Sequence, residues 1–355
     1  MKKFALIVLA TAMLLSVTAC GNNATTNPSD TEATDAGEVR TFRLGHPNAS
    51  QMTDPDHFFA TKWAEYVEEY SGGTLKIDIY GDASLGADRD LFVQVKDGML
   101  DLALTGTVND GGVYTPLQIF DLPYVFMNDE EYRTLLYDDR GAYDFLREGL
   151  RDEMNMHYFG LTEAGAKKLW GTGDVPTNPE ELVGLKIRVG DSAVLREIWD
   201  MFKCNAANIA WSEAFSAHQQ KVIDGAEYAV LIGNSAGFYE VCDYVQSTDI
   251  NRMVKLVVMS QPVWESLTAE QQECFTKAYW AALDDQIEMI DKANEEAISK
   301  WAESGCIYYE TFDKEAAYEL LVPTVWDDFR EEVGSENLDK LVSVLEEIRS
   351  EQNAE

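Results

Sequence analysis

From Ala269 to Ser304 the chain runs without a glycine or a proline, and both ends of the run are marked. Thr268 with Gln271 three residues on has the form of a capping box, and Gly305 is the residue type that closes a helix in the left-handed conformation. At 1.5 Å per residue such a helix spans roughly 50 Å, more than the width of one small domain. It is therefore expected to bridge two lobes.

The residues before it alternate between strand and helix patterns. TFRLGH (41–46), LKIDIY (75–80), DLALTG (101–106), HYFGL (157–161), LKIRV (185–189) and AEYAVL (226–231) read as strands. Helices are expected from about Pro55, with Asp54 as cap, Phe59, Trp63, Tyr66, Val67 and Tyr70 at helical spacing and Gly72-Gly73 as the stop. Others are expected over about 88–97 and, from an Asn128/Glu131 capping box, into 137. Repeated βα units predict an α/β fold with mixed, mostly parallel sheets, and no internal repeat is visible.

The first nineteen residues read as an export signal, with Lys2 and Lys3 ahead of an apolar run too short to span a membrane stably. It ends in Val17-Thr18-Ala19-Cys20, which resembles a bacterial lipobox and makes Cys20 the expected site of lipidation. The polar stretch 20–38 is read as a flexible tether to the membrane surface.

The formal charge is −35, which argues against nucleic acid and against anionic headgroups as partners. It also means that an anionic ligand would need locally placed cations. Cys204, Cys242, Cys274 and Cys306 form no CxxC, so no zinc site is indicated, and disulfides among them stay open. There is no GxSxG and no HExxH, and an enzyme is not expected. No cofactor and no metal are implied.

Within the strand GLKIRVG (184–190), alternation puts Leu185, Ile187 and Val189 on one face and Lys186 and Arg188 on the other. The segment continues as GLKIRVGDSAVLREIWDMFKCNAANIAWSEAFSAHQQKVIDGAEY: a strand carrying arginine, a helix, a short strand, an aromatic before Ser-Glu, a second helix and Asp-Gly-x-Glu. This order resembles the solute-binding proteins of tripartite ATP-independent periplasmic (TRAP) transporters, the DctP type. SGGTLKIDIYGDASLGADRDLFVQVKDGMLDLAL, FDLPYVF (120–126) and the long late helix resemble the same family, over about residues 39–345.

The resemblance implies a two-lobed, periplasmic-binding-protein-like clamshell. Lobe I would comprise 39–164 with about 254–292, and lobe II about 165–253 with 293–355. It implies a lipid-anchored, monomeric receptor on the outer face of the cell membrane or the periplasmic side. The receptor would deliver a small organic acid to the membrane subunits of a TRAP transporter. A receptor of an ATP-driven importer is the alternative.

The resemblance makes Arg188 the residue that pairs with the ligand carboxylate, a role that suits a planar, permanently charged guanidinium. Lys167 stands where the family often has a second arginine, and Trp211 where an aromatic ring walls the pocket. Tyr228 replaces a frequent asparagine, and Glu227 is expected to support the arginine. On the first lobe His46, Asn48, Thr105 and Thr107 end strands facing the cleft, where open α/β sheets bind ligands. Gly106 falls where some relatives place an acidic side chain, which removes support for ammonium-bearing ligands.

Overall fold

The structure, a computed structural model, describes residues 39–137 and 140–352. The export signal, the tether and Cys20 lie outside these residues. Among the described residues no helix is long and apolar enough to cross a membrane.

Three parallel strands open the first sheet: β1 (Arg40–Gly45), β2 (Leu75–Tyr80) and β3 (Leu102–Gly106). They are joined by α1 (Pro55–Tyr70) and α2 (Asp88–Lys96). The Asp54 side chain accepts the backbone N–H groups of Asp56 and His57, and Gly72 and Gly73 end α1 at φ of 61° and 84°. Phe59, Trp63 and Val67 are fully buried on one face of α1, each stabilising the lobe by about 1.5–3 kcal/mol. Tyr70, at the same spacing, stays exposed. Then come α3 (Thr107–Asp110), α4 (Asp129–Leu136), α5 (Asp144–Asp152) and β4 (Met156–Thr162). Asn128 caps α4 as expected, but the Glu131 carboxylate turns back to the Met127 N–H, one residue earlier than a capping box requires.

The second sheet is built from β5 (Lys168–Gly171), β6 (Lys186–Val189), α6 (Ala193–Met201), β7 (Asn205–Asn208), α7 (Trp211–Gln219), β8 (Gly225–Tyr228), α8 (Val230–Ser235) and β9 (Tyr244–Gln246). The strand expected over 226–231 stops at Tyr228. Val230 and Leu231 instead start α8, whose Gly233 lets the Trp170 ring sit against its backbone. Tertiary packing here overrides the β preference of Val230.

The chain then returns to the first sheet as β10 (Lys255–Ser260), inserted antiparallel between β3 and β4, followed by α9 (Gln261–Glu265). After the long helix α10 (Ala269–Ser304), β11 (Ile307–Tyr309) joins β9, and α11 (Lys314–Phe329) and α12 (Ser335–Gln352) close the chain. The orders are β2-β1-β3-β10-β4 and β11-β9-β5-β8-β6-β7. In each sheet one strand, β10 or β5, opposes the others, so both are mixed and mostly parallel.

The helix α10 has the predicted bounds, with the capping box of Thr268 and Gln271 formed and Gly305 at φ 90°. Its first half packs on the first sheet's helix α1, where the Trp63 indole donates to the Phe275 carbonyl at 3.1 Å. Its last turns serve the second core, where Trp301 lies 4.7 Å from Trp170 and donates to Asn234 at 2.9 Å. Two further segments cross between the sheets and clasp each other: Lys167 N–H donates to the Asn251 carbonyl and Met253 N–H to that of Gly165.

The C-terminus divides differently from the sequence expectation. α12 packs on α4, with Arg349 forked onto Glu131 at 3.0 Å, so this helix belongs with the first sheet rather than the second. Cys204, Cys242, Cys274 and Cys306 are buried free thiols.

Candidate functional site

Several strands end at one place between the sheets. Arg188 lies near the carboxyl end of β6, Glu227 and Tyr228 close β8, and Gly106 closes β3. They line a partly enclosed cavity of about 50 Å³, together with Asn48, Asp88, Asn109, Lys167, Trp199, Trp211 and Lys255. Both sheets thus contribute, and the cavity occupies the strand-end position expected of an α/β receptor.

The alternation read in GLKIRVG is present. Ile187 and Val189 are buried in the core, Lys186 is exposed and Arg188 is half-buried toward the cavity. The Arg188 Nε donates to the Ile209 carbonyl at 2.8 Å, and its guanidinium carbon stands 5.8 Å from the Tyr228 ring centre. Among the described residues no carboxylate pairs with it. Glu227, expected to orient this arginine, instead accepts from the Thr248 hydroxyl at 3.2 Å, and the backbone of Ile209 does the orienting.

Lys167 is buried, its amine 4.0 Å from the Asp121 carboxylate. Burial lowers its pKa, while Asp121 and Glu227 pull the other way. Burial likewise lifts Glu227 to about 7 against the opposing pull of Lys167 and Thr248. Trp211, at the start of α7, meets Tyr228 edge to face at 5.1 Å, and the two rings form an aromatic wall. Burial raises the Tyr228 phenol to about 12, opposed by the neighbouring Arg188 charge.

On the first lobe the structure keeps one of the four expected residues in the cavity wall. Asn48 lines it and donates to Asp56 at 2.8 Å. His46 turns away to His57 at 3.0 Å, and burial, with His57 next, lowers its pKa to about 3. Thr105 donates to Asp110 at 2.5 Å and Thr107 to the Val254 carbonyl at 3.2 Å, so both hydroxyls are used inside the lobe.

Asp88, Asn109 and Lys255 were missed. Lys255 is buried and paired with Asp56 at 2.9 Å; burial works against its charge, but Asp56 and Asp88 outweigh that and hold its pKa raised. Asp88 accepts the Gly106 N–H at 2.7 Å and the Asn109 amide at 2.9 Å. A carboxylate therefore does stand beside Gly106, delivered from α2 rather than from position 106.

The lobes touch at the cavity's edge. The Arg89 guanidinium meets Asp191 at 2.8 Å, the Asp191 N–H donates to Asn109 at 3.3 Å, and the Ser235 hydroxyl donates to Asp54 at 2.6 Å. A larger groove of about 730 Å³, lined by Tyr124, Lys168, Asp249, Arg252, Lys314 and Tyr318 among others, lies elsewhere. Its cations are already matched, Lys168 and Lys314 by Asp249, and Arg252 by Asp129 and Glu163. Of these two, the smaller cavity presents a cation, Arg188, without a carboxylate partner among the described residues.

Comparison with known proteins agrees with the two-lobed fold. Residues 46–332 match the family model described as bacterial extracellular solute-binding protein, family 7, or DctP. The ectoine-binding periplasmic protein of Halomonas elongata is 27% identical over 305 residues, covering 84% of this chain and 88% of that protein. The 2,3-diketo-L-gulonate-binding periplasmic protein of Escherichia coli is 23% identical over 295 residues, covering 83% and 88%. The crystal structure of the sugar acid binding protein of Advenella mimigardefordensis in complex with galactonate superposes with a TM-score of 0.80 at 21% identity, covering 87% of this chain and 99% of that one, and it carries the fold.

Proposed function

The chain belongs to the bacterial extracellular solute-binding proteins of family 7, and from that premise we propose that its inter-lobe cavity captures a small organic acid for a TRAP-type transporter. The observation that carries this reading is Arg188, a guanidinium fixed by a backbone carbonyl and matched by no carboxylate of the described chain. A desolvated ligand carboxylate supplies the missing charge and accepts two parallel hydrogen bonds from the fork. Lys167 adds positive potential, and Trp211 and Tyr228 exclude water from the pair.

The acid is handed to the membrane subunits of the transporter when the lobes part. The residues supporting such a motion are the two clasped crossing segments and α10, which link the sheets, and the few polar contacts at the cavity's edge. The relatives give no support to an ATP-driven importer. The receptor is read as a monomer held at the outer face of the membrane by lipid on Cys20.

A thermal-shift screen over mono- and dicarboxylates, uronates, aldonates and aromatic acids tests the central reading. At least one acid should raise the melting temperature in wild type and fail to do so in Arg188→Ala. A silent screen would contradict it. For the anchor, Cys20→Ser should release a folded, binding-competent protein from membranes, and retention after a high-salt wash would count against lipidation.

A further inference from the structure

The two walls of the cavity differ in charge. On the second lobe Arg188 has no carboxylate partner, and Lys167 stands behind it between Asp121 and Glu227. The one cation that the first lobe brings to the cavity lining, Lys255, is paired with Asp56 and also faces Asp88. With Asp56 set against Lys255, Asp88 is the carboxylate left over in the lining on this side, so the cavity is positive at the Arg188 end and negative at the Asp88 end.

The negative end is presented by Asp88. Its side chain is 3% exposed and lines the cavity, and as the first residue of α2 it sits where the helix dipole favours an anion. The Gly106 N–H at 2.7 Å and the Asn109 amide at 2.9 Å fix one oxygen each. A carboxylate has about four acceptor sites, so two remain. Gly106 keeps the approach to them open: a Cβ at that position would come within 3.3 Å of the Asp88 oxygen and 3.8 Å of the Lys255 amine.

We infer that Asp88 determines specificity, so that the cavity takes a monocarboxylate whose far end carries a hydrogen-bond donor, a hydroxyl or an ammonium group, and rejects a second carboxylate there. This rests on the acid-receptor reading above. With its carboxylate on Arg188, such a ligand turns its far end to the first lobe. A donor there satisfies the free acceptors of Asp88, whereas a second carboxylate meets a like charge in a water-poor space with no free cation to offset it. A methyl group leaves the Asp88 acceptors desolvated and unmatched.

The test is a length-matched series of short straight-chain acids ending in methyl, hydroxyl, ammonium or carboxylate: butyrate, 4-hydroxybutyrate, 4-aminobutyrate and succinate, with their shorter and longer homologues. In wild type, calorimetry should find donor-ended acids bound about tenfold or more tighter than methyl-ended or dicarboxylic acids of the same length. The hydroxyl and ammonium arms tell which donor is preferred. In Asp88→Asn that preference should shrink about tenfold. A dicarboxylate binding tightest in wild type would overturn the inference, and so would an unchanged preference in Asp88→Asn. If Asp88→Asn melts too low to titrate, the wild-type ranking alone decides. If no acid of any series binds, and Arg188→Ala changes nothing in the wider screen, the acid-receptor reading itself falls and this inference with it.

Discussion

The Arg188 Nε donates to the Ile209 carbonyl at 2.8 Å, so the arginine is held by backbone from the segment between β7 and α7 rather than by an acidic side chain. A carboxylate in that place would have neutralised the guanidinium before any ligand arrived. A carbonyl fixes its direction and leaves its charge available. On the proposed function, this is the physical difference between a cation kept for a ligand and one spent on the fold, as Lys255 is on Asp56.

Lys167 is partly spent in the same way. Removing its charge leaves Asp121 and Glu227 buried without their common counterion, so Lys167→Met should destabilise the unliganded protein by about 3–5 kcal/mol as well as weaken binding. Chemical denaturation checks this. Unchanged unliganded stability would mean that Lys167 serves the ligand alone.

Glu227 gives a pH dependence. Its folded-state pKa is raised from 4.5 to about 7, chiefly by burial, and a ligand carboxylate nearby disfavours its charged form further. Binding therefore takes up a proton, and affinity should fall as pH rises through about 7. Glu227→Gln should flatten that slope. Asp54, lifted to about 7 by burial and then Asp56, titrates in the same window but is present in both proteins, so an equal slope in the variant would exclude Glu227 as its source.

The contact of Arg89 with Asp191 joins the two lobes and would be lost in the proposed opening. Both side chains are well exposed, so the pair is worth about 0–1 kcal/mol. Asp191→Ala should speed ligand release by up to about fivefold with little change in association, measured by stopped-flow. An effect confined to association would show that the pair steers entry instead.

Much of the fold was legible because its signals are local. The bounds of α10 follow from Thr268, Gln271 and Gly305, and the cap of α1 from Asp54. β10 was not legible: LVVM is buried on both faces, so it has no alternation to read. The site divides in the same way. The face that Arg188 takes follows from strand alternation and its expected role from the family resemblance, but choosing among Thr105, Gly106 and Thr107 requires knowing which residue the end of β3 turns to the cleft, and it turns Gly106. Asp88 reads in sequence as an ordinary first-turn helix acid, and only the fold brings it to Gly106.

The central claim is that Arg188 anchors the ligand carboxylate, and calorimetric titration of Arg188→Ala with the tightest-binding acid of the screen tests it most directly. Truncation leaves that carboxylate desolvated opposite nothing, a loss of about 2–5 kcal/mol, or roughly 30-fold to several-thousand-fold in affinity. Arg188→Lys should remain poor, because a point charge cannot supply two parallel hydrogen bonds. With the unliganded melting temperature preserved, a loss in that range is the predicted result. An affinity of the alanine variant within about threefold of wild type would contradict the account.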